Sequence, residues 1–207
     1  MLTQIAHSEK VFFMRIFLSI LIFFNVFTQS NAEGIKDLTI EGISVGDSAL
    51  TYFSENQIKN NIWDYYKDKK FTPVQMTDFP FYETYEAIDF DYKKDDPKYT
   101  IYSLSGVLSY KDKNIEDCYK KMDKIDKELL SVLTNFNREN KATFKHQVDP
   151  SGESTFTDIY YESEKGTVTI TCYDFSKEQE KKGSADFLSV TIALNEWVAF
   201  IRSNPYN

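Results

Sequence analysis

Between Asn114 and Asn137 the apolar residues Ile115, Cys118, Met122, Ile125, Leu129, Val132, Leu133 and Phe136 return at intervals of three and four. That is the period of one buried face of an α-helix. Asn114 is placed to cap the helix, and Glu116 and Asp117 fall in its first turn, where the helix dipole favours acids. Lys120, Lys121, Asp123, Lys124, Lys127 and Glu128 occupy the other face, which the pattern leaves to water.

Elsewhere the period is two, the signature of strands with one face buried. The alternation predicts strands over Phe71–Met76, Tyr82–Tyr92 and Tyr99–Tyr110 before the helix. It predicts Ala142–Gln147, Thr155–Glu162, Thr167–Tyr173 and Phe187–Leu194 after it. Lys93 to Lys98, with Pro97, reads as a hairpin turn, and Glu164, Lys165 and Gly166 as another. Glu33–Asp47 reads as a short entry strand or ordered loop. Ser48–Ile62 reads as a few helical turns, with Ser54 and Gln57 forming a capping box. Lys177–Ser184 reads as a charged loop. Asn195 is placed to cap a terminal helix in which Trp197, Val198 and Ile201 pack inward, and Pro205 stops it.

The fold class that follows is α+β: antiparallel sheet packed against one long amphipathic helix. A helix followed by strands occurs twice, which suggests two α-β-β-β units, 33–112 and 113–207. A single domain over 33–207 with one continuous sheet fits the same pattern.

The N-terminal residues read differently. Arg15 precedes an apolar run from Ile16 to Phe27, and Ser30, Asn31 and Ala32 place small residues at −3 and −1. This is a signal-peptide pattern over 1–32, with cleavage before Glu33; Met14 is an alternative start to Met1. The run falls short of the ~20 residues of a spanning helix, so no stable membrane insertion is expected after cleavage. Removing Glu9, Lys10 and Arg15 from 24 basic and 32 acidic residues leaves 22 and 31, a net charge of −9. Such a balance argues against nucleic acid as a partner. Two cysteines are present, Cys118 and Cys172, and in an oxidising compartment an isolated pair is expected to bond.

Chemistry is sparse. Beyond the leader His146 is the single histidine, which excludes a multi-histidine metal site within one chain and H-E-x-x-H. On its short polar strand it reads as exposed. No G-x-S-x-G, glycine-rich phosphate loop or dinucleotide fingerprint occurs, so no catalytic, cofactor-binding or metal-ligating residue is assigned. Asp89 and Asp91 share a face of their strand. They read as solvated acids, against the sharper reading of a calcium site or a carboxylate pair for glycoside hydrolysis. The excess lies in aromatics. Trp63, Tyr65 and Tyr66, and separately Tyr160 and Tyr161, are the candidates for a binding patch. A soluble, exported, non-enzymatic module for an unidentified protein or small-molecule partner is the expectation. A small carboxylate-dependent hydrolase is the alternative.

Two resemblances carry further expectations. Ile43, Ser44, Val45, Gly46, Asp47 and Ser48 resemble the opening of exported modules related to β-lactamase-inhibitor protein and the outer-membrane assembly lipoprotein SmpA. That likeness implies a strand ending near a glycine with a helix soon after, and an accessory role in envelope assembly. The lipoprotein's N-terminal cysteine has no counterpart here. Tyr99 to Gly106 (YTIYSLSG), Cys118 to Met122 (CYKKM) and Cys172 to Asp174 (CYD) resemble segments of uncharacterised exported proteins of marine alphaproteobacteria. This implies export and brings no activity with it.

Overall fold

Antiparallel pairing organises the strands into one eight-stranded sheet. The computed structural model describes residues 34–77, 79–110, 114–147 and 149–203; the expected leader over 1–32 and the stop at Pro205 lie outside the described residues. The strands are β1 (Phe71–Thr77), β2 (Ala87–Lys93), β3 (Ile101–Ser109), β4 (Asn137–Arg138), β5 (Ala142–Lys145), β6 (Thr155–Glu162), β7 (Gly166–Asp174) and β8 (Phe187–Leu194). Their order is β1-β2-β3-β8-β7-β6-β4, with β5 also paired to β6. The helices are α1 (Glu55–Asn60), α2 (Ile115–Val132), α3 (Lys177–Lys181) and α4 (Asn195–Arg202). The class is therefore α+β. β3 pairs with β8 from Ser103↔Ala193 to Ser109↔Phe187, so strands from before and after α2 lie side by side in one sheet.

One face of this sheet is apolar. Val74, Met76, Ile88, Phe90, Leu104, Ile159, Ile170, Leu188, Val190 and Ile192 alternate inward along their strands and are buried. The entry segment supplies Ile35, Ile40, Ile43 and Val45 to the same core, α1 supplies Ile58 and α2 supplies Met122. Helix α2 packs on β7 and β8, and a Cys118–Cys172 disulfide joins it to the C-terminal part of β7. Asn114 caps α2 by accepting the Glu116 N–H. Gly166 sits where a Cβ would lie 2.1 Å from the Ala193 carbonyl oxygen, so no larger residue fits that start of β7.

The buried face of α2 also holds a carboxylate. Asp126 accepts a two-pronged bond from Arg138, at 2.8 Å to each oxygen, and a third bond from the Tyr161 hydroxyl at 2.5 Å. Arg138 holds the Asp126 carboxyl below its ordinary range. Bidentate geometry of this kind fixes orientation as well as charge, and it anchors Arg138 of β4 beside Tyr161 of β6.

Several local expectations need correction. The strand expected from Tyr82 begins at Ala87. Residues 83–85 instead donate their backbone N–H groups to the Glu41 carboxylate, at 2.9, 2.7 and 2.9 Å. The Tyr85 ring covers Gly106, whose missing Cβ leaves that space. The charged loop contains α3, because the Ser176 hydroxyl accepts the Gln179 N–H. Asn195 is the first residue of α4 rather than its cap; its side chain donates to the Glu164 carbonyl at 2.7 Å. The expected capping box at Ser54 and Gln57 is present.

The disulfide closes a separation of 54 residues, for which chain entropy gives roughly 4 kcal/mol before native strain. The Cys118→Ala/Cys172→Ala double variant is expected to lose about 2–4 kcal/mol in urea unfolding, with little change in far-UV circular dichroism. An unchanged unfolding midpoint would show that the bond contributes nothing to stability.

Candidate functional site on the outer sheet face

Side chains alternate across a sheet, so the disulfide at Cys172 settles which residues face away from α2. On that outer face the register places residues in rows running across the strands. One row reads Gln75, Asp89, Ser105, Thr191, Thr169, Tyr160. The next reads Thr77, Ala87, Val107, Ser189, Thr171, Asp158, Ala142. A third holds Pro73, Asp91, Ser103, Ala193, Thr167 and Glu162. The centre of the face is therefore built from small hydroxyl residues, and larger side chains stand around it. Ser103, Thr167, Thr169, Thr171 and Ser189 are all buried. Ser105 and Thr191 share a hydrogen bond at 2.8 Å. The result is a shallow hydroxyl-lined floor.

Helix α4 closes one end of this floor, packing across β3, β7 and β8. Its Phe200 joins Tyr66 and Phe71 in a second apolar cluster, against which Tyr102, Trp197 and Ile201 pack. At the opposite end runs a cross-strand line of rings, Phe144, Phe156, Tyr173 and Phe187. Neighbouring ring centroids lie 5.4, 6.0 and 4.2 Å apart. The rings stand against one another across four strands, and Phe144 at the sheet edge is half exposed.

Three carboxylates line the floor between these ends. Asp91 is buried and accepts the Tyr66 hydroxyl at 3.0 Å. The Trp197 indole N–H lies against the same carboxylate but outside ordinary hydrogen-bond geometry. Asp89, two residues along the same face, is half-buried. Asp158 lies in the adjacent row on β6, four strand intervals away. Oδ1 of Asp89 and Oδ1 of Asp158 are both buried without a hydrogen-bond partner. Burial pushes Asp91 up to about 7, and Asp89 and Asp158 each up to about 6. Loss of water around the charged form is the leading cause in each case. The expectation that Asp89 and Asp91 are solvated acids is thus corrected. Asp91 lies beneath α4 and the segment that carries Tyr66.

The aromatic candidates separate. Trp63 and Tyr65 are exposed, at 53% and 39%, beside the β1 edge. Tyr66 is 2% exposed because its ring fills the α4 cluster, and Tyr161 is 1% exposed because its hydroxyl serves Asp126. Tyr160 is half-buried in the rim of the floor. The two groups sit toward opposite edges of the sheet and form no common patch. A cavity of about 220 Å³ lies beside Trp63, lined by Tyr66, Lys69, Phe71, Pro73 and Lys94 among others. His146 is not an exposed strand residue. It is half-buried among Phe156, Tyr173 and Phe175, with centroids 5.2–6.0 Å away, and burial lowers its pKa. The line of rings is legible in the sequence only once the register of β5 to β8 is known.

Among the described residues no group of three His, Cys, Asp or Glu side chains is placed to hold a metal ion. No described helix is long and apolar enough to cross a membrane. Comparison with protein-family models, curated proteins and solved structures gives no match to this chain.

The raised pKa of Asp91 has a defined consequence for stability. A carboxyl whose folded value lies above its unfolded value, near 3.9, contributes most below that value, and its contribution is lost as pH rises through about 7. In Asp91→Asn that loss is absent, since the amide stays neutral while its oxygen still accepts from Tyr66. Relative to the parent, the variant is expected to gain on the order of 2 kcal/mol between pH 4 and pH 8. Parallel stability–pH profiles for the two proteins would refute the burial argument.

Proposed function

We propose that the chain is an exported, non-enzymatic binding module that receives its partner on the outer face of the sheet. The observation that carries this reading is the face itself. A structural sheet face is covered with apolar side chains, as the α2 side is, or dressed with long solvated ones. This face has a floor of small hydroxyls, flanked by carboxylates without full hydrogen-bond complements and by a line of aromatic rings. Buried polar groups left unpaired cost stability, and retaining them is the mark of a surface that meets something.

Export is supported by the leader pattern and by the Cys118–Cys172 bond, since disulfides persist in oxidising compartments. The location that fits is the periplasm or the extracellular space. The mass of the protein from the exported fraction is expected to match a chain beginning at Glu33 and lacking two thiol hydrogens. A mass that retains residues 1–32 would remove the export reading.

Asp89 and Asp91 favour a second reading, a carboxylate-dependent hydrolase, because both face one way with raised pKa values. Against it, Asp91 is sealed by Tyr66 and α4 and cannot meet a substrate without their displacement. The purified protein is expected to leave a panel of glycosides intact. Hydrolysis abolished by Asp89→Asn would overturn the non-enzymatic reading. An accessory role in envelope assembly draws on the Ile43–Ser48 likeness alone.

A further inference from the structure

We infer that the β5 edge of the sheet takes an added strand, an extended segment of a partner protein that carries an aromatic residue and acids. This rests on the reading of the outer face as the binding surface and names where along that face the partner is held. The two edges of the sheet differ. Beside β1 the segment that precedes it closes the edge: the Trp63 N–H donates to the Pro73 carbonyl at 3.0 Å, and the Gln75 N–H to the Asn61 carbonyl at 3.1 Å. Strand β5 pairs with β6 on one side only. The His146 N–H donates to the Ser154 carbonyl at 2.8 Å. In an antiparallel pair the residues that exchange main-chain bonds alternate with those that do not. Phe144 and Ala142 therefore turn their main chain toward β6, and Thr143 and Lys145 turn theirs outward. Among the described residues nothing pairs with those outward groups, and Thr143, Phe144 and Lys145 are all exposed.

Outward N–H and C=O groups at two-residue spacing are matched by another extended main chain. The side chains of β5 then set the chemistry of the added strand. Among the described residues Phe144 is the one large apolar residue of a strand that is exposed. It ends the line of rings at the open edge, 5.4 Å from Phe156. It also falls between the outward-bonding residues, where opposed side chains approach most closely. An aromatic residue placed opposite it extends the line by one ring. On the other face of β5, Lys141 is paired with Asp123, whereas Lys145 has no carboxylate partner among the described residues. An acid on the added strand compensates it. A second copy of the chain fits less well. Twofold pairing of β5 about Phe144 sets Lys145 against the copy's threonine, and lysine on an edge strand disfavours self-pairing.

The test uses the acetylated and amidated peptide Glu-Tyr-Glu-Phe-Thr-Val as probe and the chain purified from its exported fraction, in about 0.15 M salt so that diffuse attraction is screened. Antiparallel to β5, the peptide sets its second Glu opposite Lys145, its Phe opposite Phe144 and its Thr opposite Thr143. Saturable amide chemical shifts are expected at Thr143 and Lys145. Phe144→Ala and Lys145→Glu are each expected to weaken affinity about fivefold, the size of a lost aromatic or surface ion-pair contact. N-methylation of the second Glu and the Thr of the peptide removes the donors that face β5 and is expected to abolish binding. Thr143→Pro is expected to do the same from the other side, since proline is tolerated on an edge strand whose N–H faces water. Undiminished binding of the N-methylated peptide, which leaves the protein unaltered, would overturn strand addition. Saturable shifts confined to Ser105, Thr169 and Thr191 would keep the outer face as a binding surface and overturn the edge assignment. No saturable shift anywhere would overturn the edge assignment as well. Shifts at Thr143 and Lys145 that Phe144→Ala leaves unchanged would keep the added strand but detach it from the outer face. A dimer of the parent chain in sedimentation that Thr143→Pro abolishes would give the edge to a second copy and overturn the partner strand.

Discussion

One covalent constraint gives the sheet its two sides. Cys172 lies near the C-terminal end of β7 and is bonded to Cys118 on α2, so that residue must face the helix. Because the strand period is two, every second residue of β7 faces the helix as well. The hydrogen-bonded ladders then carry the assignment strand by strand to β1 in one direction and to β5 in the other. A slip of one residue in any ladder would turn isoleucines and leucines to the outside and serines and threonines into the core. The apolar contacts of Ile170, Leu188, Val190 and Ile192 penalise such a slip. Bond and core thus enforce the same register.

That register explains why the sheet is asymmetric. The inner face collects the aliphatic side chains and is covered by the entry segment, α1 and α2. The outer face collects Ser, Thr and Asp and is capped at one end by the short α4. Hydrophobic burial is therefore concentrated on one side, and the other side is free to differ in chemistry without loss of the core. The β3–β8 ladder is what makes the face broad enough to matter. Without it, the strands before α2 would present Asp89 and Asp91, and those after it Asp158 and Tyr160, on separate surfaces.

Much of the architecture was legible in the chain. The three-and-four spacing from Ile115 located α2, and the spacing of two located the main strands, because burial on one side imposes those periods directly. Ser54 with Gln57 announced the cap of α1. Boundaries were less legible where a distant side chain decides them. Nothing local says that Glu41 will hold the backbone of residues 83–85, so the Tyr82–Tyr92 alternation read as strand throughout. The Asn137–Arg138 strand was invisible because its reason is Asp126, a charged residue on the buried face of a helix. The candidate site was hardest to read. Tyr66 and Tyr161 looked like surface aromatics, and their burial depends on partners at Asp91 and Asp126 that only the fold supplies. Asp89 and Asp91 looked solvated, as alternating acids on a strand usually are.

The treatment of carboxylates elsewhere in the molecule gives the outer face its meaning. Glu41 accepts three backbone N–H groups. Asp126 accepts a guanidinium and a phenol. Asp149 accepts the N–H and hydroxyl of Ser151, the N–H and hydroxyl of Ser154, and the hydroxyl of Ser176, tying the β5–β6 turn to the cap of α3. All three are held below their ordinary pKa: Arg138 leads for Asp126 and the Ser154 hydroxyl for Asp149, while the backbone bonds to Glu41 together outweigh its burial. The chain thus pairs its structural acids thoroughly, using loops, a β-bridge and a helix cap to do so. Asp89, Asp91 and Asp158 are shifted the other way by burial, and two of them keep an oxygen unpaired. Poor packing does not account for this contrast, since the same sheet packs its inner face densely. Asp89, Asp91 and Asp158 each take a single side-chain donor, from Gln75, Tyr66 and Thr171, and on this hydroxyl-lined face burial outweighs those bonds.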